Sequence, residues 1–211
     1  MLDFLAKHPS TAQFIATKML KWLLTPEPSQ QQINTIAAVY RATGGDIKLM
    51  ARAILNDAWI AAAPAKFKRP FHFLVSGLRC ANPVVSSLSS LNAASANSFV
   101  TLGQSLFDWV TPDGYPDKID YWAGSIMTRW SFGSAFANLK SASSVNLDSA
   151  PYLAGTADAA VDLINANFFA GEMAASIRLG LLNYLKGGAF NDARVRETIS
   201  LAISASGFQW Y

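Results

Sequence analysis

The strongest constraint on the fold of this chain is a helical spacing of apolar residues between positions 9 and 54. Pro9 suits the first turn of a helix, and the segment after it places on one stripe Phe14, Ile15, Met19, Trp22 and Leu23. Ser29 and Asp46 are residue types that cap helix N-termini, and Gly44-Gly45 lies where a helix would end. The pattern predicts three amphipathic helices joined by short turns, which pack most simply as an antiparallel bundle.

The same periodicity continues through the rest of the chain. It predicts helices over residues 70–79, around 86–104, from Ile126 to Leu139 and in three stretches of 157–206, the last capped by Asn191. The proline-rich segment 111–117 must be a loop, because Pro112-Asp113-Gly114-Tyr115-Pro116 cannot continue a helix or a central strand. Residues 140–151 form a Ser-rich linker.

These patterns together predict an all-α fold. No segment alternates apolar and polar residues between turn signals, so no sheet is expected. We predict a compact multi-helix bundle in a single helical domain, residues 1–211, with a sub-boundary near 140–151. The loop around 111–117 and the linker around 140–151 are its irregular segments.

Composition and charge exclude several classes of protein. The chain is 51% hydrophobic and 15% charged, which excludes a disordered polyelectrolyte. Its net charge is +3, and its one dense basic stretch is Lys66, Lys68 and Arg69, so no nucleic-acid partner is expected. No apolar run reaches the roughly 18 residues that a membrane-spanning helix requires. Asp3 interrupts any signal-peptide pattern at the start of the chain.

Signatures of cofactor and metal chemistry are absent from the sequence. It has no phosphate-binding glycine loop, no His-Glu-x-x-His and no Gly-x-Ser-x-Gly motif. Cys80 is the single cysteine, which excludes an intramolecular disulfide and a thiolate metal site, and two histidines cannot build a histidine-rich one. We therefore expect no cofactor and no metal ion. His8 and His72 are each open to a structural or an acid–base role.

The richest local cluster of polar and aromatic residues runs from Asp113 to Trp122. It interleaves three carboxylates with three rings: Asp113, Asp117 and Asp120 with Tyr115, Tyr121 and Trp122. Three interpretations stand side by side: oxygen ligands for Ca²⁺, a sugar site with carboxylates as acid and base, or a turn whose carboxylates cap the backbone and whose rings fill the core. Arg129 follows on the next helix, where its guanidinium could reach back to the loop carboxylates or serve as a structural tie.

Several short motifs, spread over nearly the whole chain, carry a resemblance to a known family. They are His8-Pro9-x-Thr11-x-x-Phe14-Ile15-x-x-Lys18, Gly44-Gly45-Asp46, Lys68-Arg69-Pro70-Phe71, Leu102-Gly103-Gln104-x-Leu106-Phe107, Pro112-Asp113-Gly114-Tyr115-Pro116, Trp122, Arg129 and Phe208-Gln209. The chain resembles the C-terminal half of the bacterial family called domain of unknown function 1800. It departs from that family at Ser206-Gly207-Phe208-Gln209, where glycine replaces a usual proline.

The resemblance implies a helical protein that is the C-terminal part of a longer family member, with no established biochemical activity. It also implies partners: an N-terminal half absent from this chain, or a sulfatase-like product of a neighbouring gene. We find no signal peptide and leave the compartment undetermined, since the resemblance allows export to the periplasm or beyond.

Two functional hypotheses follow. The first is a non-catalytic helical module that packs against a partner. The alternative is part of an exported hydrolase or binding protein acting on a carbohydrate or other polymer. In that case Asp113 is the candidate catalytic residue, and the candidate ligand-binding residues are Tyr115, Trp122, Arg129 and His72. Whether the chain is an enzyme stays open at this point.

Overall fold

A computed structural model describes residues 1–87, 99–140 and 145–211. The chain divides into two compact units, Met1–Lys66 and Phe67–Tyr211. The fold is predominantly helical, which confirms the all-α prediction. In the described residues, no helix is long and apolar enough to cross a membrane. The sub-boundary expected near 140–151 stays a prediction.

The first unit is built from five helices. They are α1 (Leu2–Lys7), α2 (Pro9–Leu23), α3 (Gln30–Thr43), α4 (Ile47–Ile54) and α5 (Asp57–Ala62). Ser29 accepts a hydrogen bond from the Gln32 amide while the Gln32 side chain accepts one from the Ser29 amide, so a capping box starts α3. Gly44 ends it with a left-handed φ of 68°. The capping residues were therefore predicted correctly.

The buried face of α2 differs from the predicted stripe. Phe14 and Trp22 are 59% and 56% exposed, whereas the side chains that α2 buries are Ala12, Ala16 and Leu20. They pack with Ile36, Ala37, Met50 and Ile54 in the core of this unit. Small alanines bring helix axes close together, so the core follows the alanine face and leaves the larger rings outside. The helix itself was predicted correctly. Of its predicted apolar stripe, Ile15, Met19 and Leu23 pack against this core, whereas Phe14 and Trp22 lie outside it.

The second unit contains seven α-helices among its described residues. They are α6 (Pro70–Ala81), α7 (Ile119–Trp122), α8 (Ile126–Ala137), α9 (Ala150–Leu153), α10 (Ala157–Phe169), α11 (Ala175–Lys186) and α12 (Asp192–Ser204), with short 3₁₀ turns at Ala123–Ser125 and Ser206–Gln209. Asn191 caps α12 as predicted, by accepting a hydrogen bond from the Arg194 amide. Much of the helix expected over 86–104 falls on residues 88–98, outside the described residues.

A small sheet corrects the expectation that no strands occur. Strands β1 (Val84–Val85) and β2 (Val145–Asn146) pair antiparallel, with Val84 opposite Asn146. The second strand and the start of α9 lie within the segment predicted as a Ser-rich linker. Two residues per strand are too few to show an alternating pattern, which is why periodicity gave no sign of them.

Close approach of α8 and α12 organises the core of the second unit. A side chain at Gly133 of α8 would meet Ser204 Oγ at 3.1 Å and the Ser200 carbonyl oxygen at 3.3 Å, so glycine lets the two helices pack closely. The surrounding core includes Phe73, Phe136, Ile199 and Phe208, among others.

Arg196 of α12 ties this core to the segments that precede α9. Its acceptors are the carbonyl oxygens of Ala137, Leu139 and Leu147, Ser149 Oγ and Asp192 Oδ1. The side chain is almost fully buried. Asp192 is also bonded by Ser149 and Lys140, and these contacts hold the pKa of its carboxyl far below the usual range.

We expect Arg196→Met to lower the free energy of unfolding by about 3–5 kcal/mol, because it leaves several buried carbonyl oxygens without a donor. Urea unfolding followed by circular dichroism measures the loss. The matched control is Arg178→Met, which removes an exposed pair with Asp162 and should cost under about 1 kcal/mol. Equal losses in the two variants would contradict the structural role of Arg196.

Candidate functional site

An aromatic cluster surrounds the loop that the sequence singled out. The ring of Trp109 lies 4.7 Å from that of Tyr115 and 5.6 Å from that of Tyr121, measured between centroids. Trp122 lies 5.8 Å from Tyr115 and 4.6 Å from Tyr121. Tyr115 and Trp122, both predicted as ligand contacts, are thus brought together, and they contact each other as well as two rings that were not selected.

Two hydrogen bonds from this cluster hold the loop backbone. The Tyr115 hydroxyl donates to the Ser105 carbonyl oxygen at 2.9 Å, and Trp122 Nε1 donates to the Pro116 carbonyl oxygen at 2.8 Å. Trp122 is buried and Tyr115 half-buried. Burial, with the carboxylate of Asp108, raises the pKa of Tyr115. Tyr115 and Trp122 therefore fix the backbone of the loop and of the segment before it through hydrogen bonds.

Asp113 lies exposed at the outer turn of the loop. Its Oδ1 accepts a hydrogen bond from Thr111 Oγ1, and Gly114 follows with a left-handed φ of 78°. These are features of a side chain that stabilises a turn. They leave the carboxyl group in contact with solvent.

Arg129, by contrast, is fully buried. Its guanidinium donates to the Lys68 carbonyl oxygen at 2.7 Å, to Ser125 Oγ at 3.1 Å and to Gln209 Oε1 at 3.2 Å. It also lies over the rings of Phe67 and Phe73. Burial lowers the pKa of Arg129 to about 10. In the described part of the chain, its hydrogen bonds include none to a loop carboxylate, so the geometry is that of a structural tie.

The guanidinium that does approach the loop belongs to Arg69. Its Nε lies 3.6 Å from Asp117 Oδ1, and both side chains are mostly buried. From the sequence, Arg69 was part of a basic stretch and of the Lys68-Arg69-Pro70-Phe71 motif, and Asp117 was one of three carboxylates. Their partnership spans 48 positions, and no local spacing could have indicated it.

His72 lies in the first turn of α6, where it contacts the last residue of the chain. The Tyr211 hydroxyl and His72 Nδ1 are 3.1 Å apart, and the two rings meet edge to face. Burial raises the pKa of Tyr211, the carboxylate of Asp117 raises it further, and Arg69 opposes them. Tyr211 therefore connects His72 to the Arg69–Asp117 pair.

Gln209 lies at the centre of the polar contacts around the start of α6. Its carbonyl oxygen accepts from the Lys68 amide at 2.8 Å, and its side chain accepts from Arg129 while donating to the Ile203 carbonyl oxygen. Nearby, Gln104 Oε1 accepts from the Phe71 amide at 2.8 Å. Short motifs far apart in sequence, at 68–71, 104, 129 and 208–209, thus meet in space.

Lys68 completes this region with a buried ammonium group. Its Nζ lies 3.9 Å from the centroid of the Phe208 ring. Burial lowers the pKa of Lys68 to about 8; the interaction with Cys80 opposes the shift and the charge of Arg129 adds to it. The burial of Lys68 was not predicted from the sequence, where it appears as one of several neighbouring cations.

Comparison with known proteins bears on these motifs. The model of the family described as Protein of unknown function (DUF1800) matches residues 1–210. The chain belongs to the DUF1800 family. The resemblance stated from the motifs is thereby confirmed at the level of the family. No curated protein and no solved structure matches the chain.

The His, Cys, Asp and Glu side chains of this DUF1800 chain are the groups that could bind a metal ion. Among residues 1–87, 99–140 and 145–211, no three side chains of His, Cys, Asp or Glu are grouped so that they could hold a metal ion.

Because Lys68 titrates at a different pH in the folded and unfolded states, the free energy of unfolding should depend on pH. Because its folded pKa, about 8, lies below the ordinary lysine value of 10.5, the folded state loses this proton first and stability rises with pH between those values. From pH 7.5 to 9.5 we expect the free energy of unfolding of the wild type, relative to Lys68→Met, to rise by about 2 kcal/mol. Urea unfolding at both pH values measures the difference.

The variant Lys48→Met removes an exposed lysine and is the control for this experiment. From pH 7.5 to 9.5, the free energy of unfolding of the wild type relative to Lys48→Met should show no comparable rise. A constant difference between wild type and Lys68→Met across the pH range would refute the lowered pKa of Lys68.

Proposed function

We propose that the second unit of this DUF1800 protein is a protein-docking module that binds its partner through the loop at 106–110. The observation that carries the proposal is the state of Phe107, whose side chain is fully exposed while its backbone has a φ of +62°. A left-handed backbone costs a bulky residue about 1–2 kcal/mol. Strain combined with an exposed apolar ring is typical of a recognition residue.

The neighbouring residues extend Phe107 into an apolar surface. We define the docking surface as Leu106, Phe107, Val110 and Tyr121. Like Phe107, Val110 is almost fully exposed, at 95%, and the side chains of Leu106 and Tyr121 are about half exposed. Trp109 contacts the Tyr121 ring and so connects the loop to α7. Exposed apolar side chains grouped in this way are a common feature of binding sites for proteins.

The aromatic cluster beneath the loop favours binding because it holds the docking surface in place beforehand. Trp109 packs against Tyr115, whose hydroxyl in turn bonds the loop backbone at Ser105. A loop already ordered loses less conformational entropy on association. Burying a Phe side chain stabilises a complex by roughly 1.5–3 kcal/mol. In this proposal Phe107 is the anchor of the interface.

Charge around the docking surface indicates the chemistry of the partner. The exposed side chains that flank it are those of Asp108, Asp113, Asp120 and Lys118, three carboxylates against one ammonium group. Complementary charge steers association and excludes wrong partners. The partner that fits is a protein with an apolar pocket bordered by Lys and Arg side chains.

The two partners implied by the family resemblance are the first to test: the N-terminal half of a longer family member and the sulfatase-like neighbouring product. Each would be purified and titrated against the wild-type chain by calorimetry. We expect one of them to bind, and Phe107→Gly to weaken that binding at least tenfold through loss of the anchor ring.

Phe107→Gly should weaken partner binding but increase the stability of the folded protein. Glycine adopts a left-handed φ without strain, so Phe107→Gly should raise the free energy of unfolding by about 0.5–1 kcal/mol. Phe190→Gly is the control, since Phe190 is another partly exposed ring of the second unit; it should leave binding within about twofold. Docking at this surface is excluded if neither partner binds, or if both variants weaken binding equally.

A second candidate, binding and cleavage of a carbohydrate polymer, is favoured by one observation. The half-exposed ring of Tyr121 lies beside Trp109 and next to Asp120, and an accessible ring with nearby carboxylates suits a sugar. In this candidate Asp113 is the acid, while Tyr115 and His72 remain as ligand-binding residues and the buried Trp122 positions the loop through its bond to Pro116. Arg129, being fully buried, would act through the segments that it holds.

For this candidate we expect a panel of neutral oligosaccharides to contain one that binds and is cleaved. Tyr121→Ala should weaken its binding at least tenfold by removing the platform. Asp113→Asn should abolish cleavage and preserve binding, as measured by product chromatography and calorimetry. Unchanged cleavage by Asp113→Asn would rule out the assigned acid, and Phe190→Ala serves as the aromatic control.

A further inference from the structure

A cleft in the first unit lies where α1, the start of α2 and the end of α3 meet. Its volume is about 270 Å³, and its walls include Ala12, Tyr40, Lys7, His8, Arg41 and Asp3. The Tyr40 hydroxyl donates to the Ala6 carbonyl oxygen at 3.0 Å, and Thr11 Oγ1 donates to the Leu5 carbonyl oxygen at 2.7 Å. These two bonds hold α1 against α3 and α2, so the cleft is formed by the fold itself.

Positive charge at the rim of the cleft exceeds negative charge. Lys7 and Arg41 provide two cations, and Asp3 provides one carboxylate. Within the described residues, neither Lys7 nor Arg41 forms an ion pair. Both side chains are exposed, so each is available to a ligand without breaking a bond inside the protein.

His8 adds a further donor to the same cleft. Its Nδ1 accepts a hydrogen bond from the Ser10 amide at 3.2 Å and thereby caps α2. In a neutral ring that accepts at Nδ1, the proton lies on Nε2, which can then donate. The amides of Ser10 and Thr11 are already bonded to His8. Recognition would therefore rest on side chains, with the N-terminus of α2 already satisfied.

We propose that this cleft binds a small anionic ligand through a phosphate or carboxylate group, held by Lys7 and Arg41 with His8 Nε2 as a further donor. Charge-assisted hydrogen bonds of this kind are stronger than neutral ones. The volume lies just below the range of about 300–1,000 Å³ found for drug-sized ligands, which restricts the ligand to a compact molecule. Ala12 and the Tyr40 ring supply an apolar wall for its organic part.

Inorganic phosphate and acetate are the probes, each titrated at pH 7.5 and constant ionic strength while backbone amide shifts are recorded by NMR. We expect saturable shifts at Ala6, His8 and Gly44 for at least one probe. Tighter binding of phosphate would assign a dianionic group, and equal or tighter binding of acetate a carboxylate.

Variants separate this site from general surface charge. Arg41→Gln and Lys7→Gln should each weaken binding roughly fivefold, and the double variant should abolish saturation. Arg52→Gln removes an exposed arginine of α4 that does not line the cleft, and it should change binding less than about twofold. Absence of saturable shifts with both probes, or equal weakening by Arg52→Gln and Arg41→Gln, overturns the proposal. None of these residues belongs to the docking surface, so the two proposals fail independently.

Discussion

The buried guanidinium of Arg129 is the interaction on which the second unit depends. It joins the segment before α6 through Lys68, the 3₁₀ turn before α8 through Ser125, and the end of the chain through Gln209. Desolvation makes a buried cation costly unless its donors are satisfied. Because all three bonds form inside the protein between the rings of Phe67 and Phe73, these segments can be placed in few other ways.

In the second unit, some charged side chains are buried and some large apolar side chains are exposed, the reverse of what their residue types suggest. The groups that look reactive, Arg129 and Lys68, lie buried and hold segments together. Phe107 and Val110, which look like core residues, lie at the surface. In the first unit, the exposed side chains of Lys7 and Arg41 border a cleft.

Helix positions could be predicted from the sequence because caps and prolines act over one turn of backbone. Ser29, Asp46 and Asn191 each bond an amide three residues ahead, and such contacts need no knowledge of the rest of the fold. The exposure of Phe14 and Trp22 was not predicted, because the buried face of α2 depends on the helices that pack against it. Ala12 and Ala16 are weak hydrophobic signals, but they allow the close packing that the core requires.

The candidate site likewise has local features that the sequence predicts and long-range contacts that it does not. The sequence by itself determined that 111–117 is a loop, that rings and carboxylates are concentrated near it, and that the chain resembles DUF1800 proteins. Only the tertiary structure decided that Arg69 meets Asp117, that His72 meets Tyr211 and that Arg129 bonds Gln209. These pairs are separated by 48, 139 and 80 positions. Periodicity and capping act over a few residues, whereas such contacts are set by how whole helices pack.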